Sequence, residues 1–184
     1  FCAKYGYTYA TPKVRREFFA EWVLDTEALV YINDLDTFVR ENGFWQLPVA
    51  TPPDFTTLGV DLGYDPDPCA FVVSSSWRNA PKIWTRRAYS KPKLTPDKVA
   101  MEVNKLKTQY PINRVRVDAK GGGRTTAEAI TQSYGVIVEA GPGGEKRPKI
   151  DVMRGGLNSH NIMIHLRDAQ ELVGEYKTIV WDDE

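Results

Sequence analysis

Hydrophobic and polar positions alternate with a period of two in the middle of the chain. An apolar stretch at 58–62 carries one acid, Asp61, and the two prolines of the following YDPDP turn forbid a continued strand. Apolar positions resume at 69–77, and apolar and polar residues alternate again at 82–90. These strands, joined by short turns, predict an antiparallel three-stranded meander.

The second half of the chain changes to helical spacing. At 95–110 a Thr-Pro-Asp start precedes apolar residues that fall on one face of a helix. The further predicted elements are a strand at 112–120, a helix at 125–135, a strand at 136–140, a flexible loop at 141–149, a helix at 150–161, a strand at 161–166, a helix at 167–178 and a strand at 179–184. A meander followed by βα units predicts an α/β fold, a mixed sheet with helices on both faces.

The first fifty residues are predicted to lie outside this sheet. Residues 12–31 and 34–42 have roughly helical spacing. The stretch 47–57 contains three prolines and three threonines, which is typical of a linker. We therefore divide the chain into a connecting segment at 1–50 and a compact domain at 51–184.

Composition narrows the classes of function. Basic and acidic residues each number 24, whereas a dedicated nucleic-acid binder usually has a basic excess. Acids that hold metal ions would offset basic patches in the net charge, so a net charge of zero is compatible with DNA binding. No apolar run approaches the roughly 20 residues of a membrane helix. The two cysteines form no CxxC pair, and His160 and His165 share no helix or strand face, so we expect no zinc or histidine-based metal site.

Two aspartates occupy corresponding positions in two predicted strands. Asp61 is flanked by Val60 and Leu62, and Asp118 follows Val117. An ionised carboxylate in an apolar strand is costly unless it is neutralised, and Mg²⁺ or Mn²⁺ is a hard ion that prefers such oxygen ligands. Two such carboxylates can share two ions about 3.5–4 Å apart, which suits phosphodiester hydrolysis. The alternative is that each aspartate ends its strand and caps the next turn.

Several other polar residues flank these aspartates. Asp65 and Asp67 lie in the YDPDP turn, and turn formation alone accounts for them. A run of three glycines at 121–123 follows Asp118; we favour a flexible strand-to-helix turn there over a backbone that approaches phosphate. The basic loop at 141–149 is either an ordinary solvated surface loop or a contact for a DNA backbone. The candidate DNA-contacting residues are Lys120, Arg124, Lys146, Arg147 and Lys149.

From Arg15 to Glu184 the chain resembles the nuclease half of phage large terminase subunits. RREFFAEWVLDTEALVY resembles the stretch in which those proteins leave their ATPase domain, and GVDLGYDPDPCAFVV resembles their first nuclease strand and turn. VDAKGGGRTTAEAI, EKRPKIDVMRGG and ELVGEYKTIVWDDE resemble later segments of the same domain. The order of these motifs is more specific than any one of them.

The resemblance implies a ribonuclease-H-like (resolvase-like) fold with a two-metal acidic centre. In this interpretation Asp61 and Asp118 are the catalytic residues and the ligands of two Mg²⁺ or Mn²⁺ ions. The family's third acid lies in a later helix that these residues do not include. Either that ligand is absent, which we favour, or Asp182 or Asp183 takes its place. The domain would then be truncated before its last acidic helix, and its activity on its own is open.

The resemblance also implies the biological setting. In the intact motor, the nuclease cuts concatemeric double-stranded DNA while the ATPase domain of the same polypeptide packages it. The implied partners are DNA, that ATPase domain, the small terminase subunit and the portal protein, with no membrane. The implied location is the host cytoplasm during virus assembly, and not the mature virion. No Walker A pattern occurs in this chain, so no ATPase activity is assigned to it.

Three other interpretations remain. An actin-like or sugar-kinase-like ATP-binding module uses similar GxDxG hairpins, but the loop after Asp61 lacks small hydroxyl residues for phosphate. A Holliday-junction resolvase or a transposase core would have the same fold and metals. A non-catalytic binding module would use the two aspartates only structurally. The sequence leaves open the preferred metal, the cutting specificity and the oligomeric state.

Overall fold

The computed structural model describes residues 14, 29–40, 43–45, 52–63, 67–118, 123–141 and 145–181. Its central feature is the predicted meander, formed by β2 (Phe55–Asp61), β3 (Cys69–Trp77) and β4 (Ala80–Lys91). Burial alternates along β2 and β3, as expected for strands whose two faces differ. Both pairings in the meander are antiparallel, which confirms the prediction.

Helices and short strands surround the meander. Among the described residues, α1 (Ile32–Arg40) and β1 (Phe44–Trp45) precede it. The elements that follow it are α2 (Pro96–Gln109), β5 (Arg114–Val117), α3 (Gly123–Tyr134), β6 (Glu139–Ala140), α4 (Lys146–Asn158), β7 (Ile162–His165) and α5 (Gln170–Tyr176). None of the described helices has the length and apolar character needed to span a membrane.

All described strands belong to one sheet in the order β1-β7-β4-β3-β2-β5-β6. Strand β5 pairs parallel with β2 on one side and with β6 on the other. Strand β7 pairs parallel with β4 and β1. The sheet is therefore mixed, because a central antiparallel meander is extended by parallel strands on both sides.

Each face of the sheet carries its own hydrophobic core. Helices α2 and α3 cover one face, where the first core is centred on Leu58, Phe71 and Leu106. Helices α1, α4 and α5 cover part of the other face, where the second core includes Phe38, Leu157, Ile164 and Val173. Helices on both faces confirm the predicted fold class.

Part of the segment predicted to be a connection belongs to this packed unit. Phe38 in α1 is completely buried, and β1 pairs with β7 through Phe44 and Ile164. Asp34, also in α1, is buried and accepts a hydrogen bond of 2.6 Å from Arg154 of α4. The expectation that the compact fold begins only at residue 51 is therefore wrong for α1 and β1. The predicted connection to an ATPase domain stays a prediction.

Several predicted boundaries also shift. Strand β2 begins at Phe55, inside the expected linker, and β6 comprises only Glu139–Ala140 of the expected 136–140 strand. The basic loop was predicted to extend to residue 149, but α4 begins at Lys146. The expected final strand reduces to an isolated antiparallel bridge between Leu29 and Val180 in the described part of the chain. The helix predicted at 12–31 lies largely outside the described residues.

A buried acid fixes α2 to the meander. Glu102 accepts hydrogen bonds from the Tyr89 hydroxyl at 2.6 Å and from the Lys91 ammonium at 2.7 Å. Burial opposes the charge of Glu102, but these two donors and the nearby Lys105 outweigh it and lower the pKa of Glu102. Glu102 is therefore a charged structural residue, satisfied by its partners.

Candidate metal centre

The two aspartates singled out in the sequence meet at one edge of the sheet. Val60 pairs with Val117 across the parallel β2–β5 ladder. The Asp118 amide donates a hydrogen bond of 3.3 Å to the Val60 carbonyl, which continues the ladder by one step. Asp61 and Asp118 are therefore next in register, at the carboxyl ends of adjacent strands whose backbones lie about 4.8 Å apart.

Both carboxylates lie on the same face of the sheet. Val60 and Val117 point into the protein and are 5% and 2% exposed, whereas Asp61 and Asp118 are exposed. Because successive side chains of a strand alternate between faces, the aspartates project opposite to the first core. This face at the carboxyl edge is accessible to a phosphodiester and to ions.

The electrostatics of this edge favour a cation. Partial burial raises the pKa of Asp61, and the charges of Asp118 and Asp67 raise it further. Among the described residues, no basic side chain forms an ion pair with Asp61. Like charges gathered at one edge of a sheet are stabilised when a divalent ion binds between them.

Within the described residues, no third acid completes a metal-binding cluster with Asp61 and Asp118. Asp67 is close enough to affect Asp61, yet within the described residues no three His, Cys, Asp or Glu side chains gather closely enough to hold a metal. Asp65, Asp182 and Asp183 lie outside the described residues. Glu171 of α5 is near the same face, but its carboxylate accepts hydrogen bonds from the Ser90 amide and hydroxyl, at 2.8 and 3.3 Å.

The predicted DNA-contacting residues fall into two groups. Lys120 and the Arg124 side chain lie outside what the structure describes. Lys146, Arg147 and Lys149 lie in the first two turns of α4. The Arg147 guanidinium stacks 5.5 Å from the centre of the Trp181 ring. These three basic residues therefore belong to a helix and are not part of a mobile loop, contrary to the prediction.

Sequence analysis missed a charged row beside the aspartates. Arg114 and Arg116 alternate with buried valines in β5, so they project from the same face as Asp118. Glu139 of β6 pairs with Arg116 in the sheet and lies 3.0 Å from the Arg114 Nε. The signal was present as the alternation in RVRVD at 114–118, which places both arginines and the aspartate on one face.

Several solved structures share this fold, although the sequence itself matches no known family. No protein-family model matches the sequence, and no curated protein matches it significantly. The nuclease domain of the bacteriophage SPP1 g2p large terminase, solved with bound Mn, is 21% identical, with a TM-score of 0.56 over 71% of this chain and 72% of that one. The P22 large terminase nuclease domain is 15% identical, with a TM-score of 0.61 over 78% and 77%.

A third solved structure gives the same result. The large terminase nuclease from thermophilic phage G20c, with bound magnesium, is 16% identical and has a TM-score of 0.58 over 80% of this chain and 82% of that one. Likeness at these identities establishes the fold. This chain has the α/β, ribonuclease-H-like fold of large terminase nuclease domains, which confirms the fold class and the structural resemblance expected from its motifs.

Proposed function

We propose that this chain is the metal-dependent endonuclease domain of a viral DNA-packaging terminase, which cleaves concatemeric double-stranded DNA. The observation that carries the proposal is the meeting of Asp61 and Asp118 in register at the carboxyl ends of β2 and β5. The solved structures with the same fold include nuclease domains with bound Mn and magnesium.

The residues at this edge fit divalent ions. Carboxylate oxygens are the ligands that Mg²⁺ and Mn²⁺ prefer. The raised pKa of Asp61 reflects partial burial first and then the negative charges of Asp118 and Asp67, which a cation would relieve. Asp61 and Asp118 would hold two ions, with Asp182 or Asp183 as candidates for a third acid. When bound, such ions activate water and stabilise the leaving oxygen in phosphodiester hydrolysis.

The surrounding residues position the substrate in this proposal. Lys146, Arg147 and Lys149 at the start of α4, together with Lys120 and Arg124, would contact DNA phosphates. In the intact motor the domain would act with an ATPase domain of the same polypeptide, the small terminase subunit and the portal protein. It would work in the host cytoplasm during assembly.

The test is cleavage of supercoiled plasmid DNA in Mn²⁺ or Mg²⁺. We compare the unchanged chain with Asp61→Asn and Asp118→Asn, which keep the side-chain size and remove the charge. The matched control is Asp54→Asn near the opposite end of β2, where the Asp54 carboxylate only accepts a hydrogen bond from the Arg78 amide. We expect nicking by the unchanged chain and the control, and loss of nicking in both site variants.

Equal cutting by the unchanged chain, the control and both site variants would refute the assigned centre. Preference for four-way junctions over linear duplex would instead favour a junction resolvase. Binding of ATP in calorimetry without any cleavage would favour the actin-like module. Absence of both Mn²⁺ binding and cleavage would favour a structural role for the two aspartates.

A further inference from the structure

Among the described residues, helices cover only part of the sheet face that carries Asp61 and Asp118. Of the described helices on that face, α5 packs on β4 and α4 packs on β7. Beyond Val72 of β3, which contacts the second core, the face continues over β2, β5 and β6. Within the described part of the chain, no helix packs on this half of the face, which extends directly from the acidic edge; we call it the open half-sheet.

The surface of the open half-sheet includes a stretch of strand backbone without a side chain, at Gly59. Gly59 lies two residues before Asp61 on the same face, between Val72 and Arg116 in the neighbouring strands. A Cβ at Gly59 would approach only the Val72 carbonyl oxygen, at 3.8 Å, which is an ordinary van der Waals contact. Packing therefore does not require a glycine here, and its presence leaves the strand backbone without a side chain above it. A bare strand beside a charged side chain lets a ligand's backbone approach closely.

Arginine side chains of β5 give one side of the open half-sheet a positive charge. Arg116 and Arg114 are about two and four residues from Asp118, hence roughly 7 and 13 Å along the strand. Both guanidinium side chains are partly exposed, at 39% and 40%. The Arg114 guanidinium also lies 5.7 Å from the centre of the exposed Phe55 ring, which holds it along the same face.

One acid faces the two arginines and leaves them incompletely neutralised. The Glu139 carboxylate is 3.0 Å from the Arg114 Nε but 3.9 Å from the Arg116 Nε. The Arg116 Nε is buried and forms no hydrogen bond within the described residues. A buried, unsatisfied Nε donor is costly, and the exposed part of the same guanidinium side chain can bind an anionic oxygen on the open face.

We propose that Arg116, assisted by Arg114, is a positioning site for DNA phosphates that flank the scissile one, and that Glu139 weakens this site. The inference rests on the proposed nuclease function. The acids at the edge repel DNA, and the chain as a whole has no net charge. Binding energy must therefore come from local cations, and phosphate contacts supply most of it in nonspecific complexes. The arginine row is the set of cations that shares both strand and face with Asp118.

The experiment measures the dissociation constant of a labelled DNA duplex over a series of salt concentrations. All variants carry Asp61→Asn, so that the DNA stays intact. Arg116→Ala should weaken binding by about tenfold and make the salt dependence shallower by about one unit of slope. Arg116→Lys should recover part of the loss. Glu139→Gln should strengthen binding several-fold, a gain that misfolding cannot produce.

The matched control is Arg78→Ala in the exposed turn between β3 and β4, near the opposite end of the sheet, which should leave binding unchanged. In the cleaving protein, Arg116→Ala should raise KM with little change in kcat, since it removes binding common to substrate and transition state. Melting temperatures of all variants check that each is folded.

The outcomes separate the two proposals. If Arg116→Ala and Glu139→Gln leave affinity and salt slope unchanged while the unchanged chain cleaves DNA, this inference is overturned and the nuclease proposal stands. If the slope changes but Mn²⁺-dependent cleavage is absent, the phosphate site stands and the nuclease proposal does not. No duplex binding even at the lowest salt would overturn both.

Discussion

Replacing Asp61 by asparagine should make the metal-free protein more stable while removing its response to Mn²⁺. The raised pKa of Asp61 means that its charged form is disfavoured in the folded state, first by burial and then by Asp118 and Asp67. At neutral pH this charge costs folding free energy. Asparagine keeps the shape and removes the charge, so the cost disappears. Below the ordinary pKa of 3.8 both states are protonated, and the gain should vanish.

The size of the gain follows from the strand geometry. Two charges at the spacing of neighbouring strands, about 4.8 Å, repel by about 0.9 kcal/mol in water and about 3.5 kcal/mol at an effective dielectric constant of 20. Asp61 and Asp118 are both exposed, so we take the lower end, about 1 kcal/mol. For a domain of this size that corresponds to a rise of about 2–4 °C in Tm.

Mn²⁺ should stabilise the unchanged chain and leave the stability of Asp61→Asn unchanged. At ten times its Kd, an ion that binds only the folded state stabilises by about 1.4 kcal/mol, or about 3–6 °C. The unchanged chain and the Asp54→Asn control should show this shift, and Asp61→Asn should not. Thermal melts in EDTA and in Mn²⁺ measure both effects. An Asp61→Asn protein that melts no higher in EDTA and keeps the full Mn²⁺ shift would refute the reasoning.

Other perturbations test the framework around the centre. Glu102→Gln should destabilise the protein by about 1–2 kcal/mol at neutral pH, since it removes the partly exposed ion pair with Lys91. The pKa of Glu102 is lowered in the folded state, so the difference in stability from the unchanged chain should shrink as pH falls below 4.5. Denaturant titrations over a pH series measure this difference. Gly63→Ala should weaken Mn²⁺ binding in calorimetry, because its Cβ would overlap the Pro68 carbonyl oxygen and displace the loop that carries Asp67. A chain that begins at residue 51 should lose several kcal/mol of stability or fail to fold, because Phe38 and Leu35 leave the second core; unchanged melting would restore the predicted boundary.

Local patterns were sufficient to predict the centre of the sheet. Strict alternation and the YDPDP turn defined the meander, and Thr95 with Pro96 marked the start of α2. Asp61 and Asp118 could be singled out because each follows apolar residues at a strand end. Their meeting required one further assumption, that the two strands are parallel neighbours, which βα topology makes common.

The errors came from signals with two meanings. Pro148 and the glycines before it suggested a loop, but proline is tolerated in the first turn of a helix because its missing N–H needs no partner there. The apolar run at 136–138 suggested a buried strand, but Ile137 is 71% exposed and only Val136 is buried among these three. The prolines at 47–57 suggested a domain boundary, whereas β1 on their N-terminal side pairs with β7, more than a hundred residues later in the sequence.

Register across strands explains why the arginine row was missed. In the sequence alone, Arg114 and Arg116 are the ordinary polar face of a strand. Arg116 pairs with Gly59 on one side and with Glu139 on the other. Only this pairing shows that the two arginines line the open half-sheet beside the acids. A chain without net charge can hold DNA by this means, because the sheet separates opposite charges on one surface. Acids gather at the carboxyl edge, where metal ions would offset their charge, and the two arginines lie two and four residues before Asp118. Neutral composition is then no argument against a nuclease, since the attraction depends on the local field and not on the sum.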